Sequence, residues 1–155
     1  MLLENIYSQD SEQIDYSEID EEDLKKLVLD FYDPEIATSA LSELSIRKSK
    51  LIIDLSNTIL KDSIGDNFLQ SLAFKSLYEF EKNKAIEYIK NNYLKCDKRI
   101  LLSIMESIII DENYFKNNLE LKIIARKAFE RLKKIPKNNF NIPEDYEWVI
   151  KEFSL

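Results

Sequence analysis

The chain has 155 residues, 45% hydrophobic and 33% charged, with net charge −7, no histidine and one cysteine. That balance fits a folded chain, and it excludes His-based catalytic triads, His-ligated metals, an internal disulfide and Cys-based zinc sites. With one glycine and three prolines, turns that need positive φ are scarce, so helices joined by short polar turns are expected instead of β-hairpins.

The stretch from Met1 to Asp23 holds nine acidic residues and no Lys or Arg, which leaves +2 on the remainder of the chain. It has no basic region and no long apolar run, so no secretory leader is expected. The longest apolar run, Ile108-Ile109-Ile110, is far short of the roughly 18 residues that span a bilayer. The expectation is a cytoplasmic protein. Residues 1–19 read as an acidic arm or cap. Asp20, with Asp23 three residues on, resembles a capping box opening a helix through Leu24, Leu27, Val28 and Phe31.

Asp33-Pro34 reads as an N-cap followed by proline in the first turn. From there an internal repeat begins. At an offset of 33, Asp33, Ile36, Ala40, Leu41 and Leu44 match Asp66, Leu69, Ala73, Phe74 and Leu77. A further offset of 31 gives Asp97, Ile100, Ile104, Met105 and Ile108. Ile124, Ala128, Phe129 and Leu132 carry the pattern once more. Between these first helices lie second ones. Ile52, Leu55, Ile59 and Leu60 align with Ile86, Ile89, Tyr93 and Leu94 at an offset of 34, with Ser49 and Asn83 as caps. Apolar residues at these spacings mark one buried helical face. Gly65 reads as a helix stop before the cap Asp66. The third unit leaves room only for a short second helix near 112–116, and Pro136 ends the helix that starts near Asn118. Pro143, with Glu144 and Asp145, starts a last short helix in a cap that includes Tyr146 and Trp148.

Units of 31 to 34 residues with Asp, then Ala, then Leu on the first helix resemble HEAT-like repeats, most closely over Ala125 to Leu132. The tetratricopeptide small and aromatic positions and the ankyrin Thr-Pro-Leu-His signature are missing. The resemblance covers roughly 33–134. It implies an all-α, right-handed α-solenoid of antiparallel helix pairs, with three to four repeats and caps at both ends. The expected organisation is a single domain, 1–155, with the arm at 1–19, repeats at 20–135 and a C-terminal cap at 136–155. HEAT-like proteins are mostly protein-binding scaffolds whose second helices form the binding wall.

Small, acidic, single-domain helical chains also look like the immunity proteins of bacterial toxin systems, an analogy of size, charge and repeat type. On that reading the chain is not an enzyme and needs no cofactor or metal. It is a monomer when free and binds a basic toxin domain, such as a nuclease, by occluding its active site. The candidate contacts in the acidic arm are Asp15, Glu18, Asp20, Glu21, Glu22 and Asp23. On the second-helix faces they are Asp54 and Asn57, then Glu87, Tyr88 and Asn91. The alternatives are a scaffold or regulator without a toxin, and a HEAT-like nucleic-acid enzyme, which the charge of −7 disfavours. No nucleic acid or membrane partner is expected. Lys122, Arg126, Lys127, Arg131, Lys133, Lys134 and Lys137 read as the solvent face of an amphipathic helix, supported by a Lys127–Glu130 pair. Cys96, before Asp97, reads as a structural or incidental thiol.

Overall fold

A computed structural model describes residues 3–136 and Lys151. Among these residues the chain is all-helical, without a strand. The helices are α1 (Leu3–Tyr7), α2 (Glu21–Asp30), α3 (Pro34–Ile46), α4 (Leu51–Asp62), α5 (Asn67–Phe80), α6 (Lys82–Asn92), α7 (Lys98–Ile110), α8 (Glu112–Lys116) and α9 (Leu119–Lys133). Two 3₁₀ turns, Ser11–Gln13 and Tyr16–Glu18, separate α1 from α2. The expected helix starting at Pro143, Tyr146, Trp148 and Lys137 lie outside the described residues.

The chain divides into two compact units, Met1–Lys82 and Asn83–Leu155. In the first, α2 packs chiefly on α3 and α4 on α5; α3 also lies against α5, and α2 against α4, so the closest pairs are offset by one helix from the expected unit of α3 followed by α4. In the second, α7 and α8 both pack on α9. The repeated apolar positions form these cores. Ile36, Ala40, Leu41 and Leu44 in α3 are buried, as are Leu69, Ala73, Phe74 and Leu77 in α5. Ile100, Ile104, Met105 and Ile108 in α7, and Ile124, Ala128, Phe129 and Leu132 in α9, are buried too. Fully burying one of the Leu, Ile, Met or Phe side chains contributes about 1.5–3 kcal/mol.

Local chemistry sets the boundaries. Carboxylates of Asp20, Asp33, Asp66 and Asp97 accept from backbone N–H groups of the first turns of α2, α3, α5 and α7, and the Asn118 side chain caps α9. These groups would otherwise be orphaned donors. Ser49 Oγ accepts from Leu51 N–H at the start of α4. Asn83, expected as a cap, lies inside α6, which opens at Lys82. Leu94, matched to the buried Leu60, is 61% exposed; α6 has ended at Asn92, so the helical register no longer carries Leu94 inward.

With glycine scarce, other residues take left-handed conformations after helices. Phe31 (φ 44), Lys48 (φ 52) and Ser63 (φ 52) do so. Phe31 therefore terminates α2 instead of continuing it. Lys48 closes α3: its N–H donates to Ser45 O, and Ser49 N–H donates to Leu44 O, the paired bonds of a Schellman turn. The stop of α4 falls at Ser63, not Gly65. Gly65 (φ 71) has another role, because a Cβ there would sit 2.7 Å from Leu69 Cδ2 and 2.9 Å from the Phe31 ring. The missing side chain makes room for that ring.

Candidate protein-binding surface

The acidic N-terminal segment is folded onto α2 and α3 as a strap. Ile6 and Ile19 are buried at its two ends. Tyr7 Oη donates to Asp30 (3.3 Å) and Ser11 Oγ to Glu35 (2.7 Å). One Arg47 nitrogen, Nη2, donates to the carbonyls of Tyr16 (2.8 Å) and Ser17 (3.0 Å), while its Nε donates to Glu43 (2.8 Å). The Tyr16 hydroxyl is buried without a hydrogen bond of standard geometry. Its burial pushes the pKa up, the Ser39 hydroxyl acts the other way, and Asp33 and Glu35 add to the rise.

The candidate carboxylates separate into distinct surroundings. Asp15 caps the second 3₁₀ turn and accepts from Ser17 N–H and Oγ, and Glu18 is exposed on that turn. Asp20, Glu21 and Glu22 come together in an open groove of ≈ 510 Å³, opposite Arg47, Lys48 and Lys50. Glu21 accepts from Ser49 Oγ at 2.7 Å. Asp23 accepts from Lys26 at 3.0 Å, and that bond holds its carboxyl below the usual range. The start of α2 is thus a mixed-charge surface, whereas the sequence suggested an unrelieved acidic one. The basic residues that partly balance it follow α3, about 25 positions later.

Asp54 is exposed and Asn57 half-exposed on α4. In the second unit, Glu87 and Asn91 are exposed on α6, one turn apart. Tyr88 is not on an open polar face: it is half-buried, and burial, with Cys96 nearby, pushes its pKa up to about 12.

Sequence reasoning missed a second open groove, of ≈ 460 Å³, where the first turns of α3 and α5 lie side by side. Glu12, Glu35 and Asp66 supply carboxylates to it, and the half-exposed Phe68 supplies an aromatic ring. The signal was present in the repeat. Glu35 and Phe68 occupy equivalent positions, so packing α3 on α5 brings them together. In the second unit, Ile110, Tyr114 and Leu119, at the end of α7, in α8 and at the start of α9, are exposed apolar residues.

Arg131 also departs from its expected place on a solvent face. Its Nη1 donates to Tyr93 O (3.2 Å) and approaches Cys96 Sγ (3.4 Å), and its Nη2 donates to Cys96 O. It fastens α9 to the turn between α6 and α7. Burial raises the Cys96 pKa despite the lowering effect of Arg131. The thiol therefore stays protonated near neutral pH, the unreactive form. Glu130 pairs with Arg126 at 3.2 Å, not with Lys127.

Among the described residues no helix is long and apolar enough to cross a membrane, and no group of three or more His, Cys, Asp or Glu is placed to hold a metal. No family model, curated protein or solved structure matches the chain.

Proposed function

We propose that the chain is a protein-binding inhibitor, an immunity protein that neutralises a basic toxin domain by covering its active site. The observation that carries this reading is the folded acidic strap. The folded strap brings Glu12 beside Glu35 of α3 and the α5 cap Asp66, and all three line one groove with Phe68. An ordered acidic surface speeds encounter with a basic partner and loses little entropy on docking. An aromatic ring beside such charges suits an interface anchor.

The HEAT-like reading goes with it. Pairing of α2 with α3 and of α4 with α5, with α3 on α5 and α2 on α4, is compatible with stacked helix pairs, in a frame offset by one helix from the units read in the sequence. The same positions are buried on α3, α5, α7 and α9, in keeping with three to four repeats. A right-handed solenoid capped at both ends, monomeric when free and cytoplasmic, completes the proposal.

The test uses the product of the reading frame next to this gene. If that product is a basic toxin, titration with this chain should give a stoichiometric complex and abolish the toxin's activity. A basic neighbouring toxin that neither binds nor loses activity rejects the immunity reading. Tight binding of duplex DNA at low salt would instead favour a nucleic-acid function.

A further inference from the structure

We infer that the N-terminal strap, residues 3–19, is a latch held shut by Arg47 and two isoleucine pegs, opposed by like charge, and locked by a cationic surface. The pegs Ile6 and Ile19 are buried, at 1% and 3% exposure. Between them the chain forms only two 3₁₀ turns, whose bonds are few and local. Arg47 supplies the clamp by donating to two successive strap carbonyls.

Charge works against closure. The strap carries five carboxylates and no Lys or Arg. It lies where α2 and α3 present Asp30 to Tyr7 and Glu35 to Ser11. These hydroxyls each satisfy one carboxylate oxygen but cancel no charge, and Glu12 of the strap lines the same groove as Glu35. Such a segment belongs to the low-stability end of a fold, where opening is local and not global. Salt, or a positive surface laid over the carboxylates, weakens the repulsion and leaves pegs and clamp unopposed. The lock by a cationic surface rests on the proposed basic partner; the opposition by charge does not.

Amide hydrogen exchange of the full chain, read by NMR, tests both parts. The reporters are the N–H groups of Gln13, Ile14, Glu18 and Ile19, each bonded to a carbonyl within the strap. Raising salt from about 10 to 300 mM should slow their exchange roughly threefold or more, as the Debye length falls from roughly 30 Å to under 10 Å. The Glu12→Gln/Glu18→Gln variant should reproduce this slowing at low salt. Arg47→Ala should speed exchange by about tenfold, the effect of losing one charged hydrogen-bond donor. Amides within α5 serve as the control for the global fold and should not change. Decalysine peptide at low salt should slow the same four amides. Protection that ignores both salt and charge removal, or that survives Arg47→Ala, overturns the latch. A response to salt with none to decalysine overturns the cationic lock alone, whatever the fate of the toxin reading.

Discussion

Replacing Arg131 with alanine should loosen the attachment of α9 to the turn between α6 and α7. The guanidinium donates to the carbonyls of Tyr93 and Cys96 and touches the Cys96 sulfur. A hydrogen bond from a charged donor contributes about 1.5–3 kcal/mol net. Arg131 is half-buried, so water screens part of the charge and can reach part of what truncation exposes. A loss of about 2 kcal/mol follows, from the lower half of that range. Cys96 is the only cysteine and is 7% exposed, so its labelling by a thiol reagent under native conditions reports opening of this turn. A change of 2 kcal/mol is roughly 30-fold in an opening equilibrium. Labelling of Arg131→Ala should therefore be faster by about that factor, with a matching fall in the urea midpoint. Arg131→Lys should be intermediate, because one ammonium does not reproduce the planar fork that reaches both carbonyls. If the alanine variant labels within about twofold of wild type and unfolds at the same urea concentration, Arg131 is a surface residue and the reasoning fails.

Three other substitutions probe the fold. Gly65→Ala should destabilise the chain by about 2 kcal/mol in urea denaturation, because its Cβ meets the Phe31 ring and Leu69 at a positive φ. Lys48→Gly should act in the opposite sense and raise stability by about 1 kcal/mol, since its left-handed conformation (φ 52) is natural for glycine. The Tyr88 pKa, raised from 10.0 to about 12, means that the folded form holds the phenol proton more tightly than the unfolded form. Its contribution is complete below pH 10 and disappears as pH rises through about 12. Denaturation midpoints measured across that interval should fall less steeply for Tyr88→Phe than for wild type.

The features legible in the sequence are those that depend on near neighbours. Asp33, Asp66 and Asp97 cap the helices they precede, since a carboxylate and the N–H groups it accepts from lie two or three residues apart. The short α8 falls at Glu112–Lys116 because the repeat left no room for more. The illegible features depend on distant partners. Ser11 meets Glu35 and Arg47 meets Tyr16 across 24 and 31 residues, and no local pattern announces such pairs. Arg131 looks like its solvent-facing neighbours on α9 until the turn at Cys96 is placed beside it. Tyr88 shares α6 with the exposed Glu87 and Asn91, yet tertiary packing half-buries it. The groove between the first turns of α3 and α5 exists only once those helices are adjacent.

The most direct measurement is the association rate of this chain with the proposed basic toxin partner, should the neighbouring reading frame encode one, over a range of ionic strength, for wild type and for Asp20→Asn/Glu21→Gln/Glu22→Gln/Asp23→Asn. The amides retain oxygens that can cap α2 and accept from Ser49, so the fold should persist while four charges disappear. Electrostatic capture predicts association about tenfold slower for the variant at low salt, with the two rates converging as salt rises. Equal rates at every ionic strength would contradict capture through the acidic surface.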